Sequence, residues 1–248
     1  VLNAHKINAG ELITLNNKNK DFFFFEKQDV RSVMGALIYL VKTKLPEYIG
    51  TSPFEIQVLT PMRKGELGVE HLNEVLQYYL NPASESKKEK EGRTGVFREG
   101  DKVMQVKNNY KLEWKITNAK GFSVEEGLGV FNGDMGVIKQ INTYSERITV
   151  VFDENREVEY PYSNLDELEL AYAITIHKSQ GSEYPAVVLP LLSGPPILCN
   201  RNLLYTAITR AQKCAAIVGR QSMVEQMIHN ETEQKRYSGL NECLKDGI

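Results

Sequence analysis

Short β-rich segments alternate with amphipathic helical segments in the first third of the chain, and this alternation restricts the fold more than any other feature. The run Asp21–Glu26 contains four consecutive phenylalanines, which predicts a buried strand. From Val30 to Val41 apolar residues recur at helical spacing, and Pro46 is expected to end that helix or to follow closely on its end.

A second strand and a second helix repeat this arrangement. Glu55–Thr60 predicts the strand, and apolar residues around Leu72–Tyr79 predict a helix that stops at Asn81–Pro82. Strands and helices that alternate at this spacing indicate an α/β fold built on a parallel sheet.

The pattern changes after the second helix. Ser84–Arg93 is polar and dense in charge, which predicts a solvated loop. From Val103 to about Leu170, short β-rich runs are joined by tight turns such as Asn132–Gly133, and they predict a small β-barrel. We interpret this barrel as an insertion, because the α/β pattern resumes after it. The resumed pattern predicts the strands Leu168–His177, Ala186–Leu191 and Ala215–Val218, a helix Asn202–Ala211 and a last helix from Ser222.

Composition excludes few classes of function. The formal net charge of −2 gives no evidence of a broad basic surface for nucleic acid, although a local groove of hydroxyls, amides and a few cations remains compatible with it. The three cysteines share no metal-ligand spacing, which favours reduced thiols in a cytoplasmic protein. No apolar run approaches the roughly 20 residues of a membrane span, so no membrane partner is expected. The start at Val1 suggests a piece of a longer protein.

The most informative segment for function is Ala171–Glu183, Ala-Tyr-Ala-Ile-Thr-Ile-His-Lys-Ser-Gln-Gly-Ser-Glu. In the predicted strand, Thr175 and His177 share a face with small alanines, and a hydroxyl beside an imidazole can hydrogen-bond to a phosphate or a sugar. The polar turn Ser179–Glu183 is expected at the carboxyl end of that strand, where open α/β sheets bind ligands. A sheet strand that merely ends in a polar turn explains the same residues.

A second informative segment is Leu204–Ala211, Leu-Tyr-Thr-Ala-Ile-Thr-Arg-Ala. Thr206 and Arg210 are four residues apart on the predicted helix, so they lie on the same face. A surface arginine that interacts favourably with the helix dipole would account for Arg210 by itself.

Together these two segments resemble the fifth and sixth motifs of RecD-like superfamily-one DNA helicases, which include the alpha chain of exodeoxyribonuclease V and TraA-type relaxases. Asn3–Asn8 resembles the tail of the first motor domain of these helicases. Val130–Ile138 resembles the SH3-like barrel that they insert into their second motor domain. The resemblance implies a RecA-like second motor domain at 21–112 and 168–248, an SH3-like barrel at 113–167 and a tail of the first motor domain at 1–20.

The resemblance also implies roles for individual residues of the two main motifs. Arg210 would be an arginine finger that stabilises the charge on the transferring γ-phosphate. Gly181 and Glu183 would face the nucleotide, and Thr175 and His177 would contact single-stranded DNA.

Two further segments resemble the family more weakly. Val58–Gly65 resembles the fourth motif, which would place Thr60 and Pro61 on DNA and Arg63 near the γ-phosphate, although an ordinary strand-to-helix loop also explains Arg63. Asn108, in a familial segment, is a candidate DNA contact, and a β-turn asparagine is the alternative.

The sequence contains no Gly-x-x-x-x-Gly-Lys-Ser/Thr phosphate loop. The resemblance implies that ATP and Mg²⁺ are bound mainly by a first motor domain outside this sequence, so the chain alone is predicted to be inactive. Val150–Glu154 has the form of a Walker B strand, but its continuation into a β-rich hairpin argues against that role, and no metal site is predicted.

The predicted function is the C-terminal motor half of an ATP-dependent DNA helicase. The resemblance implies that the full-length protein moves 5′→3′ on single-stranded DNA and unwinds duplex DNA in recombination, repair or DNA transfer. Its expected partners are single-stranded DNA, the first motor domain and, as further candidates, subunits of a nuclease complex. The alternative is a non-enzymatic module that binds nucleic acid or protein and keeps the fold without motor activity.

Overall fold

The computed structural model describes residues 2–15, 20–93, 95–118 and 122–231. Its helices are α1 (Leu2–Asn8), α2 (Val30–Tyr39), α3 (Leu45–Ile49), α4 (Val69–Leu80), α5 (Arg201–Thr209) and α6 (Gln221–His229). Its strands are β1 (Phe22–Glu26), β2 (Ile56–Thr60), β3 (Glu89–Glu91), β4 (Val96–Arg98), β5 (Lys102–Gln105), β6 (Asn109–Thr117), β7 (Ser123–Val130), β8 (Met135–Asn142), β9 (Arg147–Phe152), β10 (Glu157–Pro161), β11 (Leu168–Leu170), β12 (Ala173–Thr175), β13 (Tyr184–Leu191) and β14 (Ala211–Gly219).

A five-stranded sheet in the order β1-β14-β13-β2-β12 forms the centre of the α/β part. Every neighbouring pair in it is parallel. The predicted parallel α/β sheet is therefore confirmed. Because all five strands run the same way, their carboxyl ends form one edge of the sheet and their amino ends form the other.

Helices cover both faces of this sheet. The helices α2 and α4 contribute Val33, Leu37, Leu72 and Leu76 to one buried cluster. The helices α1, α5 and α6 contribute Ile7, Leu204 and Met227 among others to a second cluster on the opposite face. The helix α1 thus shares a core with α5, and its assignment to a first motor domain stays a prediction. No helix in the described part of the chain is long and apolar enough to cross a membrane.

The helical region after β1 extends further than Pro46 suggested. After α2 the chain forms a π-helical turn at Leu40–Lys44, and α3 then continues past Pro46 to Ile49. A proline in a regular helix clashes with the carbonyl four residues earlier, and here Pro46 lies in the first turn of α3, where it is tolerated. Gly50, at φ 68°, provides the left-handed residue that ends the helix.

A seven-stranded antiparallel sheet in the order β11-β5-β8-β9-β10-β6-β7 forms the predicted β-rich insertion. It runs from Lys102 to Leu170, so it is wider than the expected 113–167, which omitted β5, the start of β6 and β11. The expected loop Ser84–Arg93 is also only partly a loop, because Glu89–Glu91 pairs with Val96–Arg98 in a small hairpin. Its alternating charges fit a strand whose side chains are largely exposed.

The predicted single strand Leu168–His177 is wrong, because the chain changes sheets within it. The strand β11 pairs with β5 of the antiparallel sheet, whereas β12 pairs with β2 of the parallel sheet. His177 lies beyond β12, in a 3₁₀ turn at Ile176–Ser179. Tyr172 and Ile174 are consequently buried in different core clusters, although strict alternation placed them on the same face.

A buried polar network joins the two sheets at this crossing. Asp101, beside β5, accepts hydrogen bonds from Gln77 (2.6 Å) and Asn81 (2.7 Å) near the end of α4 and from the hydroxyl of Tyr172 (2.9 Å). Next to it, the ammonium group of Lys102 donates to Gln57 Oε1 at 2.9 Å. The antiparallel sheet is therefore held to the parallel sheet by satisfied polar groups as well as by apolar packing.

Candidate functional site

The loop between β12 and β13 contains most of the predicted site residues. The hydroxyl of Thr175 accepts a hydrogen bond from the backbone N–H of Lys178 at 3.3 Å and so caps the 3₁₀ turn. The hydroxyl of buried Ser179 donates to the carbonyl of Ile176 at 2.7 Å. Gly181 has φ 88°, a conformation that side chains rarely adopt, and it redirects the chain toward β13. These contacts fix the backbone and leave His177 exposed.

This loop runs from the edge of the parallel sheet formed by the carboxyl ends of its strands to the edge formed by their amino ends. It begins at the carboxyl end of β12, where Thr175 is in register with Thr60 at the end of β2. It finishes at the amino end of β13, where Tyr184 is in register with Ala211 at the start of β14. The expectation that the whole turn lies at the carboxyl edge is therefore wrong: His177 is near that edge, but Ser182 and Glu183 reach the amino edge.

Arg210 lies at the amino edge, between the end of α5 and the start of β14. Its guanidinium Nη1 donates to the carbonyl of Ser182 at 3.1 Å, and Nε donates to the carbonyl of Thr206 at 3.3 Å. Nη2 donates to the hydroxyl of Thr209 at 3.4 Å. Arg210 forms no ion pair with a carboxylate among the described residues, in contrast to several other arginines. The half-buried cation is thus positioned by neutral oxygens.

Gly181, Ser182, Glu183 and Arg210 together form what we call the amino-edge cluster. The carboxylate of Glu183 is exposed and accepts a 3.4 Å hydrogen bond from Gln212 on β14. Three of the residues predicted to face the nucleotide, Gly181, Glu183 and Arg210, are therefore neighbours. An oriented guanidinium whose charge is not compensated by an ion pair is suited to bind phosphate oxygens.

His177 lines a groove of about 530 Å³ between the two sheets, which Gly181 and Ser182 of the amino-edge cluster also line. One wall of this barrel groove is the loop after β12, with His177, Lys178, Gln180, Gly181 and Ser182. The other wall is the turn between β7 and β8, with Asn132, Gly133 and Asp134. The groove is open and polar, as expected of a surface that hydrogen-bonds to a sugar–phosphate backbone.

Asn108 supports the barrel side of this groove. Its side-chain oxygen accepts a hydrogen bond from the backbone N–H of Asn132 at 2.9 Å, which ties the segment before β6 to the turn that forms the wall. Asn108 is exposed but does not line the groove. Asn108 therefore stabilises the turn between β7 and β8 through its side chain, and its contact with DNA stays a prediction.

Thr60 and Pro61 do not present their side chains to solvent. Thr60 is 0% exposed, and its hydroxyl donates to the carbonyl of Leu67 at 2.7 Å. Pro61 is buried as well. The hydroxyl of Thr60 satisfies a backbone carbonyl of the turn that follows β2, so it is not free to contact DNA in this arrangement.

Arg63 is separated from the amino-edge cluster. It follows the carboxyl end of β2, and its Nη2 donates to Glu169 Oε1 at 2.6 Å, while its Nε pairs with Glu70 at 3.3 Å. The hydrogen bond to Glu169 raises the pKa of Arg63. Arg210 lies at the opposite edge of the same sheet. The resemblance implied that Arg63 and Arg210 meet around one phosphate, and the structure does not bring them together in this way.

The site fits a phosphate group better than a metal ion. Arg210 offers a positioned cation, whereas the described residues contain no group of three or more His, Cys, Asp or Glu side chains that could hold a metal. The binding of ATP and Mg²⁺, the two predicted cofactors, stays a prediction for this chain.

Three residues with a part in the site were not singled out by the sequence. Ser182 carries the carbonyl that positions Arg210, and Lys178 and Glu169 form an ion pair beside the barrel groove at 3.2 Å. Lys178 was recognisable as the cation next to His177. Glu169 was not, because its contacts depend on the change of sheets after Leu170.

Two family models match this chain. Residues 72–152 match the SH3 domain of ATP-dependent RecD-like DNA helicases. Residues 170–218 match the C-terminal domain of UvrD-like helicases, a span that includes the loop after β12 and Arg210. The predicted resemblance to RecD-like helicases is confirmed, as is the predicted fold class of a parallel α/β domain with an inserted SH3-like barrel.

Curated relatives agree with these matches. The chain is 40% identical over 160 residues to the ATP-dependent RecD2 DNA helicase of Deinococcus radiodurans, covering 64% of this chain and 19% of the relative. It is 30% identical over 191 residues to the RecBCD enzyme subunit RecD of Mycolicibacterium smegmatis, covering 77% of this chain and 29% of the relative. Among solved structures, a Bacteroides Pif1 helicase bound to ADP-AlF3 and single-stranded DNA has a TM-score of 0.44 at 15% identity, over 87% of this chain and 54% of the other. The chain thus spans less than a third of these two curated relatives.

Proposed function

We propose that this chain, which resembles RecD-like DNA helicases in its barrel and in its carboxyl-terminal motifs, is the second motor domain of an ATP-dependent DNA helicase. In this proposal the described residues of 21–101 and 171–231 form the motor domain, and the inserted barrel, Lys102–Leu170, lies between them. A first motor domain supplies the phosphate loop and most of the binding site for ATP and Mg²⁺, so the chain alone does not hydrolyse ATP.

The observation that carries the proposal is the position of Arg210. Its guanidinium is held by the carbonyls of Ser182 and Thr206 and is not paired with a carboxylate among the described residues. Arg210 then acts as an arginine finger, whose cation stabilises negative charge that develops on the transferring γ-phosphate. Gly181 and Glu183, beside it, contact the rest of the nucleotide.

Single-stranded DNA binds on the other side of the same loop. Thr175 and His177 lie toward the carboxyl end of β12, and His177 lines the barrel groove. One loop thus connects the DNA contacts to the partner of Arg210, Ser182. A change in the position of Arg210 on hydrolysis would be transmitted through that loop to the grip on DNA, and repeated cycles would move the protein 5′→3′ along the strand.

The biological setting is proposed only as a set of alternatives. The protein would act by itself, as a subunit of a nuclease complex or as part of a DNA-transfer enzyme. The first motor domain is the necessary partner in each case, and we place the protein in the cytoplasm, where these reactions occur.

Strand separation by the intact protein tests the proposal. Two partial duplexes are compared, one with only a single-stranded 5′ tail and one with only a single-stranded 3′ tail. We expect ATP-dependent unwinding from the 5′ tail only. Unwinding from the 3′ tail alone would contradict the direction, and the absence of both unwinding and DNA-stimulated ATP hydrolysis would favour a non-enzymatic binding module.

A further inference from the structure

Glu169 holds two cations that come from different parts of the chain. Its Oε1 accepts a 2.6 Å hydrogen bond from the guanidinium of Arg63, and its Oε2 accepts one from the ammonium of Lys178 at 3.2 Å. The carboxylate side chain is only 18% exposed, whereas Arg63 is 45% exposed and Lys178 is 28% exposed. A shielded anion is thus bracketed by two cations that solvent can reach.

The position of this cluster relates it to the barrel groove. Arg63 follows the carboxyl end of β2, and Lys178 follows the carboxyl end of the neighbouring β12. Lys178 also lines the groove next to His177. Glu169 itself is in β11, the edge strand of the antiparallel sheet. The two cations therefore lie beside the place where the DNA contacts are proposed, and the anion is provided by the inserted barrel.

We propose that Arg63 and Lys178 form a subsite for one backbone phosphate of single-stranded DNA, and that Glu169 is the internal anion which occupies this subsite until DNA replaces it. The proposal rests on the proposed function, because it deepens the DNA site of that function. It also gives Arg63 a role in binding DNA, which does not require Arg63 to lie near Arg210.

Charge explains why Glu169 would compete with DNA. Burial tends to raise the pKa of Glu169, but the hydrogen bond from Arg63 and the attraction of Lys178 outweigh burial and hold the pKa below its usual range. The carboxylate is thus ionised at neutral pH. With Glu70, the second partner of Arg63, the cluster contains two cations and two anions and has no net attraction for phosphate. Neutralising Glu169 leaves one positive charge in excess.

The test is the binding of a fluorescein-labelled oligothymidylate to the 248-residue chain, measured by anisotropy over a series of salt concentrations. We expect Glu169→Gln to bind roughly 3- to 10-fold more tightly than the unmodified chain, with a salt slope steeper by about 0.7, the value for one added phosphate contact on a single strand. Adding Lys178→Gln should remove the gain. Glu159→Gln is the matched control, because Glu159 also pairs with two cations, Lys115 and Arg147, but on the barrel away from the groove.

Unchanged or weaker binding by a folded Glu169→Gln variant overturns the proposal, as does a gain that Glu159→Gln reproduces. If Glu169→Gln does not fold, the single variant Lys178→Gln decides: a salt slope shallower by about 0.7 supports the subsite, and an unchanged slope overturns it. Competition by ATP, but not by inorganic phosphate at equal ionic strength, would assign the subsite to a nucleotide instead of DNA. Failure of the subsite while the intact protein still unwinds DNA leaves the proposed helicase function standing.

Discussion

The guanidinium of Arg210 donates a 3.1 Å hydrogen bond to the carbonyl of Ser182, which links the end of α5 to the loop that leaves β12. The backbone strengthens this link, because the N–H of Tyr184 donates to the carbonyl of Arg210 at 2.8 Å. The loop that reaches Arg210 at one edge of the sheet begins near His177 at the other. This connection is the physical basis for coupling a nucleotide site to a DNA site within one domain.

The buried carboxylate of Asp101 should be essential for stability. Asp101→Ala leaves the donors of Gln77, Asn81 and Tyr172 without their acceptor, in a place that water does not reach. We expect a loss of about 3 kcal/mol in the free energy of unfolding, measured by urea denaturation. Asp153→Ala, at an exposed position, should change it by less than about 0.5 kcal/mol. Equal effects of the two substitutions would contradict the role given to the network.

Lys102 should make stability depend on pH. Burial lowers the pKa of Lys102 to about 8, from an ordinary value of 10.5. Between these values the unfolded chain carries a proton that the folded chain has lost, so the free energy of unfolding rises with pH. Relative to Lys102→Met, the unmodified chain should gain up to about 3 kcal/mol between pH 7.5 and 10. The exposed Lys111→Met is the control, and a difference from Lys102→Met that does not vary with pH would refute the prediction.

Trp114 should report on the packing of the barrel. It is the only tryptophan in the chain, and its ring lies over Gly127 so closely that an added Cβ would overlap it. Gly127→Ala should therefore displace the indole, shift its fluorescence and lower the free energy of unfolding by about 1–3 kcal/mol.

Gly35→Ala is a suitable comparison for that variant. Gly35 is in α2, and apart from its chain neighbours and the backbone of its own helix no atom lies within 4 Å of the position of an added Cβ. The substitution should raise the free energy of unfolding by about 0.5–1 kcal/mol, because alanine favours the helix. If Gly127→Ala stabilised the chain as Gly35→Ala does, the described position of Trp114 would be wrong.

The regular part of the fold could be predicted from the sequence because local periodicity determined it. The phenylalanine run, the helix around Val33 and Leu37 and the parallel strands all follow from patterns of apolar residues within one element. The change of sheets at Ala171–Tyr172 could not be predicted in this way. Apolar residues continue through it without a glycine or a proline, because both sheets bury their side chains there.

The candidate site was predictable in its residues but not in their arrangement. Motif resemblance identified Gly181, Glu183 and Arg210, which the structure brings together. It could not show that Thr60 uses its hydroxyl inside the protein or that Arg63 and Arg210 lie at opposite edges. The first fact depends on the shape of the turn that follows β2, which brings the carbonyl of Leu67 to Thr60. The second depends on the path of the loop across β2.

The central claim is that Arg210 completes an ATP-hydrolysing site in the intact protein, and the most direct test is its DNA-stimulated ATP hydrolysis. Arg210→Ala should lower turnover on the order of 10³-fold, with oligonucleotide binding by the barrel groove retained, because the guanidinium acts on the γ-phosphate and not on DNA. Arg31→Ala, an exposed arginine at the start of α2, should leave turnover unchanged. Turnover by Arg210→Ala equal to that of the unmodified protein would contradict the account.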